Sequence, residues 1–146
     1  MARYKQGKYK PKNLNKYKGD PTQVQYRSGW ELVFMKWCDS KSTVLEWSSE
    51  CIVVPYKSPI DGRYHRYFVD FFIKVKTKDG GTERWLVEIK PKGQTKPPKV
   101  QKRKTKRYIN EVATWGVNEQ KWLAARNWCQ DRGYKFKIIT EDDLNL

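Results

Sequence analysis

The tightest constraint on this chain is a pair of alternating stretches, RYFVDFFIKV at 66–75 and ERWLVEIK at 83–90, joined across the glycine-rich KDGG at 78–81. Side chains of a strand alternate between its two sides, so each stretch reads as a half-buried strand. Tyr67, Val69, Phe71, Ile73 and Val75 share one face, and Arg66, Phe68, Asp70, Phe72 and Lys74 share the other. Across the turn, Trp85, Val87 and Ile89 form an apolar face opposite Leu86, Glu88 and Lys90. The turn sets the register, because a slip of one residue sends every side chain to the opposite face. A two-residue turn at Asp79 and Gly80 puts Asp70 opposite Ile89 and mixes charge with apolar surface on both faces. A three-residue loop of Asp79, Gly80 and Gly81, with Gly81 left-handed in a bulge, sets Phe71 against Ile89, Ile73 against Val87 and Val75 against Trp85. Core burial selects the second register. It predicts Asp70 opposite Lys90, with Glu88 opposite Phe72 and diagonal to Asp70, within about 5–8 Å.

Two carboxylates at that spacing suit a hard divalent cation such as Mg2+, with Mn2+ as a substitute. Such a cation attracts a phosphodiester and acidifies a bound water, and a neighbouring lysine orients that water or stabilises developing charge. The same residues also read as a cross-strand salt bridge from Asp70 to Lys90 on a solvated face, worth only about 0–1 kcal/mol. Phe68, Phe72 and Leu86 on that face, and basic segments on either side, favour a metal cleft within a DNA-binding surface. Glu31 has two readings. It is the third helical residue of a capping box answering Ser28, and it sits beside an apolar stripe that would turn it toward the sheet. His65, the single histidine, is near enough in sequence to touch phosphate, or is a plain loop residue.

The remaining chain fits one domain of 146 residues. Net charge is +15, from 31 basic and 16 acidic residues, which points to a polyanionic partner. Seven tryptophans and nine tyrosines supply core mass that a basic disordered tail lacks. Cys38, Cys51 and Cys129 are odd in number and widely spaced, which argues against a disulfide framework or a zinc site and for a reducing compartment. No apolar run is long enough to span a membrane and no signal peptide is apparent, so a soluble intracellular protein with no membrane partner is expected.

Residues 1–20 read as a basic N-terminal arm, loosely structured alone, and 21–146 as a single domain. A helix is expected over about 28–39, a strand within ECIVVPY, then the hairpin, a basic helix starting at Pro97 and Pro98, a second helix capped by Asn118 and Gly133, and a closing strand at YKFKIIT. The order is α-β-β-β-α-α-β, an α/β (α+β) class with a mixed sheet. Phosphate contacts are expected from Lys5, Lys8 and Lys10 in the arm and from His65 and Arg66 beside the site. Others are expected from Lys92, Lys96, Lys99, Lys102, Arg103, Lys106 and Arg107, which belong to a stretch of eight cations without an acid. Charge alone also fits a non-catalytic DNA-binding protein, and a metal-free RNA binder fits less well because acids stand where stacking aromatics are wanted.

FVDFF, then VEIK eighteen residues on from Asp70 to Glu88, after a helix carrying Glu31, resembles the PD-(D/E)xK nuclease superfamily, with Val69 in place of the proline. Further stretches, KQGKYKPKN, KYKGD, YRSGWE, WSSE, GRYHRYFVDFFIK, EIKPKGQT and KRYINEV, resemble the head-completion nucleases of T-even-type tailed bacteriophages and together span residues 5–112. The resemblance implies a restriction-endonuclease-like core and a metal-dependent DNA endonuclease acting late in virion assembly, before tail joining. By the same resemblance Asp70 and Glu88 are metal ligands with the carbonyl of Ile89, Lys90 is the catalytic lysine and Glu31 is the helix-borne acid. Implied partners are double-stranded DNA, including branched or end structures, and portal, neck or other head-completion proteins. The implied location is the host cytoplasm, with the virion head or neck as a further destination. A neck-docking protein without catalysis is the alternative. Gln101 is followed by Thr105, where exonucleolytic relatives carry Gln-x-x-x-Tyr, which favours endonucleolytic trimming.

Overall fold

In the computed structural model, which describes residues 6–144, the chain runs β1 (Gly7–Lys8), β2 (Gln25–Tyr26), α1 (Gly29–Ser40), β3 (Val44–Ser49), β4 (Val53–Lys57), β5 (Tyr64–Phe68), β6 (Phe71–Lys76), β7 (Thr82–Ile89), α2 (Lys106–Arg132) and β8 (Lys135–Ile139). Short 3-10 turns stand at Pro21–Gln23 and Lys92–Gln94. The central sheet has the order β3-β6-β7-β8, antiparallel except for the parallel β7–β8 pair. Two-stranded ladders β1–β2 and β4–β5 flank it. The result is the mixed α+β architecture expected.

Helices cover both faces of the sheet. Phe34, Met35 and Cys38 of α1 pack with Trp47, Phe71, Ile73, Val87 and Ile89, while Trp122, Ala125 and Cys129 of α2 pack with Leu86, Val69, Tyr67 and the β4–β5 ladder. Residues 86–89 of β7 are therefore buried on both sides, as a central strand with a parallel neighbour should be. Among the described residues no helix is long and apolar enough to cross a membrane.

The hairpin forms, with a register different from the expected one. Phe71 faces Val87, Ile73 faces Trp85 and Val75 faces Glu83. The loop is Lys78–Asp79–Gly80, closed by the Thr77 N–H donating to the Gly81 carbonyl at 2.9 Å, and Gly80 rather than Gly81 takes the left-handed conformation, at φ 88°. Asp79 fixes it there, accepting from the Gly81 N–H at 3.0 Å and from the Thr77 hydroxyl. Local turn chemistry outweighed the gain from pairing Val75 with Trp85. The displacement is two residues, so the side chains of 71–75 and 85–90 keep their faces and Asp70 comes opposite Glu88 instead of Lys90, whereas Tyr67 and Val69 change sides and pack with Leu86 against α2 rather than with Phe71 against α1.

Four other expectations change. The stretch 66–75 is two strands, because the chain leaves the β4–β5 ladder at Val69 and Asp70 before entering the sheet; the Val69 N–H donates to the Ile52 carbonyl at 3.1 Å. A strand at Val44–Ser49, masked in sequence by Glu46, Ser48 and Ser49, forms the sheet edge. One 27-residue helix replaces the expected two. It starts at Thr105, whose hydroxyl accepts from the Tyr108 N–H at 3.1 Å, because a start at Pro97 would stack like charges along a helical face. Gly133 ends it in the left-handed conformation as expected, whereas Asn118 lies inside it.

Over residues 6–20 the expected arm is packed onto the body. Asp39, near the end of α1, accepts from the Tyr9 hydroxyl at 2.6 Å and from the Lys12 and Asn13 N–H groups at 2.7 and 3.0 Å. Tyr17 stands edge-on against Trp47 with ring centroids 4.7 Å apart. Residues 1–5, including Lys5, lie outside the described residues.

Candidate active site

Asp70 stands where the chain passes from one sheet to the other. Its carbonyl accepts the Glu50 N–H at 3.0 Å and its Oδ2 accepts the Ile89 N–H at 2.8 Å. Glu88 is 5 % exposed at the end of the buried run of β7. The Tyr67 hydroxyl donates to its Oε1 at 2.8 Å, and Lys90 Nζ lies 3.6 Å from its Oε2. Lys90 thus pairs with Glu88, and the cross-strand bridge to Asp70 that would have explained the charges structurally does not form. Asp70 is fixed through Oδ2, while Glu88 is held at Oε1 by Tyr67 and faces Lys90 through Oε2.

Both acids line an open cleft of about 560 Å³ with Lys90, Arg27, Glu50, Arg66, Tyr67, Phe68 and Lys121. Burial, then the charges of Glu88 and Glu31, push the Asp70 carboxyl well above the usual carboxylate range, against the opposing Ile89 N–H. Burial, then Glu88 and Asp70, push the Tyr67 phenol up, so it stays protonated as a donor. These carboxylates therefore repel each other in a confined space, the condition that a cation relieves.

Glu31 shows both of its expected aspects. Its N–H donates to the Ser28 hydroxyl at 3.1 Å, completing half of a capping box, while its own Oε1 takes the Arg27 N–H at a long 3.5 Å. Burial raises its carboxyl, with Glu50 and Glu88 adding to the effect, and Arg27 opposes it. It therefore feels the acids of the cleft without lining it. Among the described residues no three His, Cys, Asp or Glu side chains stand close enough to share a metal ion. The donor set is two carboxylates plus main chain, and it fits a hard cation that keeps several waters, such as Mg2+.

The expected phosphate contacts divide. Arg66 lines the cleft, its guanidinium 5.1 Å from the Phe68 ring centre. His65 is exposed on β5 and bonded to Asp61 at 2.8 Å. Lys92 is exposed, its ammonium pairing with Asp142 at 3.0 Å and its N–H donating to Glu141. Arg107 pairs with Glu111 at 3.0 Å, an exposed contact of little strength. Lys8, Lys10, Lys99, Lys102 and Arg103 are exposed. Lys96, Lys106 and Arg107 line a second, larger groove beside α2.

Four cleft residues escaped the sequence reading. Tyr67 sits on the strand already singled out, and its hydroxyl partner follows only from the sheet switch at Asp70. Glu50 has φ 54°, uncommon for a glutamate, and pairs with Arg27 at 2.7 Å. Lys121 arrives from the middle of α2, over the rings of Tyr67 and Tyr56 at 5.5 and 5.7 Å. No local pattern joins these positions to Asp70.

Residues 41–141 match the family described as TnsA-like endonuclease N terminal. The chain is also 43 % identical over 142 residues to the head completion nuclease of Enterobacteria phage T4, which covers 94 % of this chain and 92 % of that protein.

Proposed function

This chain belongs to the TnsA-like endonuclease family, of PD-(D/E)xK type, together with the T-even head-completion nucleases, and on that premise we propose that it is a metal-dependent DNA endonuclease. It trims or nicks DNA as a phage head is completed, before tail attachment. The reading rests on one observation above the others: Asp70 and Glu88, from separate strands, meet in a cleft with Lys90 beside them, on a protein of net charge +15.

Asp70, Glu88 and the main-chain carbonyl of Ile89 would hold Mg2+, or Mn2+ in its place. When bound, the cation would supply positive charge for a phosphodiester and lower the pKa of a water. The remaining work falls to the chain. Tyr67 and the Ile89 N–H hold the two carboxylates in orientation, so little reorganisation accompanies the reaction. Lys90 orients the attacking water and stabilises charge developing on the phosphate. Glu31, at the start of α1 and outside the cleft lining, adds its negative field to that of Asp70 and Glu88 without joining them as a ligand. Arg66 and Lys121, both in the cleft, hold the phosphates on either side of the cut. Lys8, Lys10, His65, Lys96, Lys99, Lys102, Arg103, Lys106 and Arg107 extend that grip along the backbone. The substrate is double-stranded DNA, including branched or end structures. Portal, neck or other head-completion proteins are the assembly partners, in the host cytoplasm or in the virion head or neck.

Nicking of supercoiled plasmid tests this. Wild type should nick with Mg2+ or Mn2+ and stop with EDTA, while Glu88→Gln should fold and bind DNA without nicking. Wild type that binds but never nicks with either ion refutes catalysis and leaves a DNA-binding or neck-docking assembly protein.

A further inference from the structure

Among the described residues Glu50 is the one non-glycine held at a left-handed φ, 54°, in the connection between β3 and β4. In that conformation Cβ crowds the residue's own carbonyl oxygen, a clash that glycine avoids. The bend itself has a use. Its N–H donates to the Asp70 carbonyl at 3.0 Å, which fixes the chain where Asp70 enters the cleft. That bond needs only main chain, and a glycine would make it without the clash. The bend therefore does not account for the glutamate.

The side chain carries a second cost. It adds negative charge to a cleft that already holds Asp70 and Glu88, and it belongs to a protein whose partner is a polyanion. The contact it makes does not offset either cost in stability. Glu50 Oε1 meets Arg27 Nη1 at 2.7 Å, but Arg27 is largely exposed, and exposed ion pairs stabilise little. A disfavoured backbone conformation kept beside a cleft, with no stability to show for it, marks a side chain retained for what it positions.

What it positions is Arg27. This residue directly precedes the N-cap of α1 and lines the cleft. Its contact with Glu50 runs through one nitrogen, which leaves the rest of a planar fork of N–H donors for a ligand. Phosphate oxygens match that fork, and a lysine does not reproduce it. Lys90 is anchored on Glu88, whereas Arg27 is anchored on Glu50, whose main chain holds Asp70. The two cations are thus tied to different members of the acidic pair.

We propose that Arg27 grips the scissile phosphate and stabilises the charge that develops on it, and that Glu50 is the positioning residue that aims it. The proposal deepens the nuclease reading and rests on it.

Plasmid nicking at saturating DNA with Mg2+ tests it, together with thermal melting and duplex binding by fluorescence anisotropy in EDTA. Arg27→Ala, a change at a largely exposed side chain, should fold and nick about 100-fold more slowly, and Arg27→Lys should recover little of the loss. Glu50→Gly should melt within about 2 °C of wild type or above it, and bind duplex at least as tightly, because an acid has gone. It should nonetheless nick about ten-fold more slowly. The double variant should nick no more slowly than Arg27→Ala alone, because Glu50 acts through Arg27.

Arg27→Ala or Glu50→Gly nicking at the wild-type rate overturns the proposal, and so does a further ten-fold loss from Glu50→Gly in the Arg27→Ala background. Glu50→Gly melting well below wild type also overturns it, since stability would then explain the glutamate. A variant whose single change is a higher Mg2+ requirement overturns it in favour of Glu50 as a metal-side acid. Wild type that nicks with neither Mg2+ nor Mn2+ overturns the nuclease reading itself, which separates the two failures.

Discussion

Replacing Asp70 by asparagine should make the metal-free protein more stable. Asp70 and Glu88 stand one step beyond the Phe71–Val87 pair, where opposed side chains are about 5 Å apart. At a pH above the raised value of Asp70, where both are ionised, and at an effective permittivity of about 20, two unit charges there repel by about 3 kcal/mol. Lys90, 3.6 Å from Glu88, offsets part of this, so that about 1–2 kcal/mol of strain remains. Asparagine keeps an oxygen to accept the Ile89 N–H, so the substitution removes charge without orphaning that donor. In EDTA, thermal unfolding followed by circular dichroism should show the variant melting about 3–8 °C above wild type. Mg2+ should raise the wild-type midpoint, through about 1.4 kcal/mol of added stability for each ten-fold excess over its Kd, and leave the variant unmoved. A folded variant that melts below wild type in EDTA, or gains as much from Mg2+, would refute the idea that these acids form a mutually repelling, cation-accepting pair.

Tyr67→Phe should leave Glu88 Oε1 buried without its donor, at a cost of about 1–3 kcal/mol, and should shift the Mg2+ dependence of both melting and nicking to higher concentration. A variant with unchanged stability and metal response would show that the hydroxyl does not hold the carboxylate. Asp39 gives the pH dependence of the N-terminal packing. Burial raises its carboxyl, but hydrogen bonds from Tyr9, Lys12 and Asn13 outweigh this and hold it below the usual range. A depressed folded value means that its stabilisation is present above the unfolded value near about 3.9 and is lost as pH falls through the folded one. Asp39→Asn should therefore be less stable at neutral pH by about 1–3 kcal/mol and show a shallower acid limb in urea unfolding. Identical acid limbs would count against this account.

The faces of the hairpin were legible from alternation alone, and with them the meeting of Asp70 and Glu88. The register was not, because it is settled by whether Asp79 or the apolar pairs dictate the turn, and the Asp79 contacts are a property of three-dimensional geometry. Parity protected the site from that error. The start of α1 was legible because Ser28 and Glu31 lie three apart, and its local bonds need no distant partner. Where burial came from afar, reading failed: Tyr9 and Tyr17 looked like members of a polar arm until Asp39 and Trp47 supplied their partners. The continuity of α2 through Gly116 and Asn118 likewise depends on Trp122 and Ala125 packing on the sheet, which outweighs weak local propensity. Lys121, Arg27 and Glu50 reach the cleft only through that packing.

The parallel pairing of β7 with β8 also has a consequence in time. The Lys90 N–H donates to the Ile139 carbonyl at 2.9 Å, and Glu88 lies beside Ile138. During synthesis the strand carrying both residues emerges first and has no neighbour on that edge until residues 135–139 follow, after all of α2. A nascent chain that stops before Lys135 thus holds every proposed catalytic side chain and still lacks the support that orders them. Cutting ability would then arrive late, with the last strand, and DNA near the ribosome would meet no working nuclease before the domain has closed.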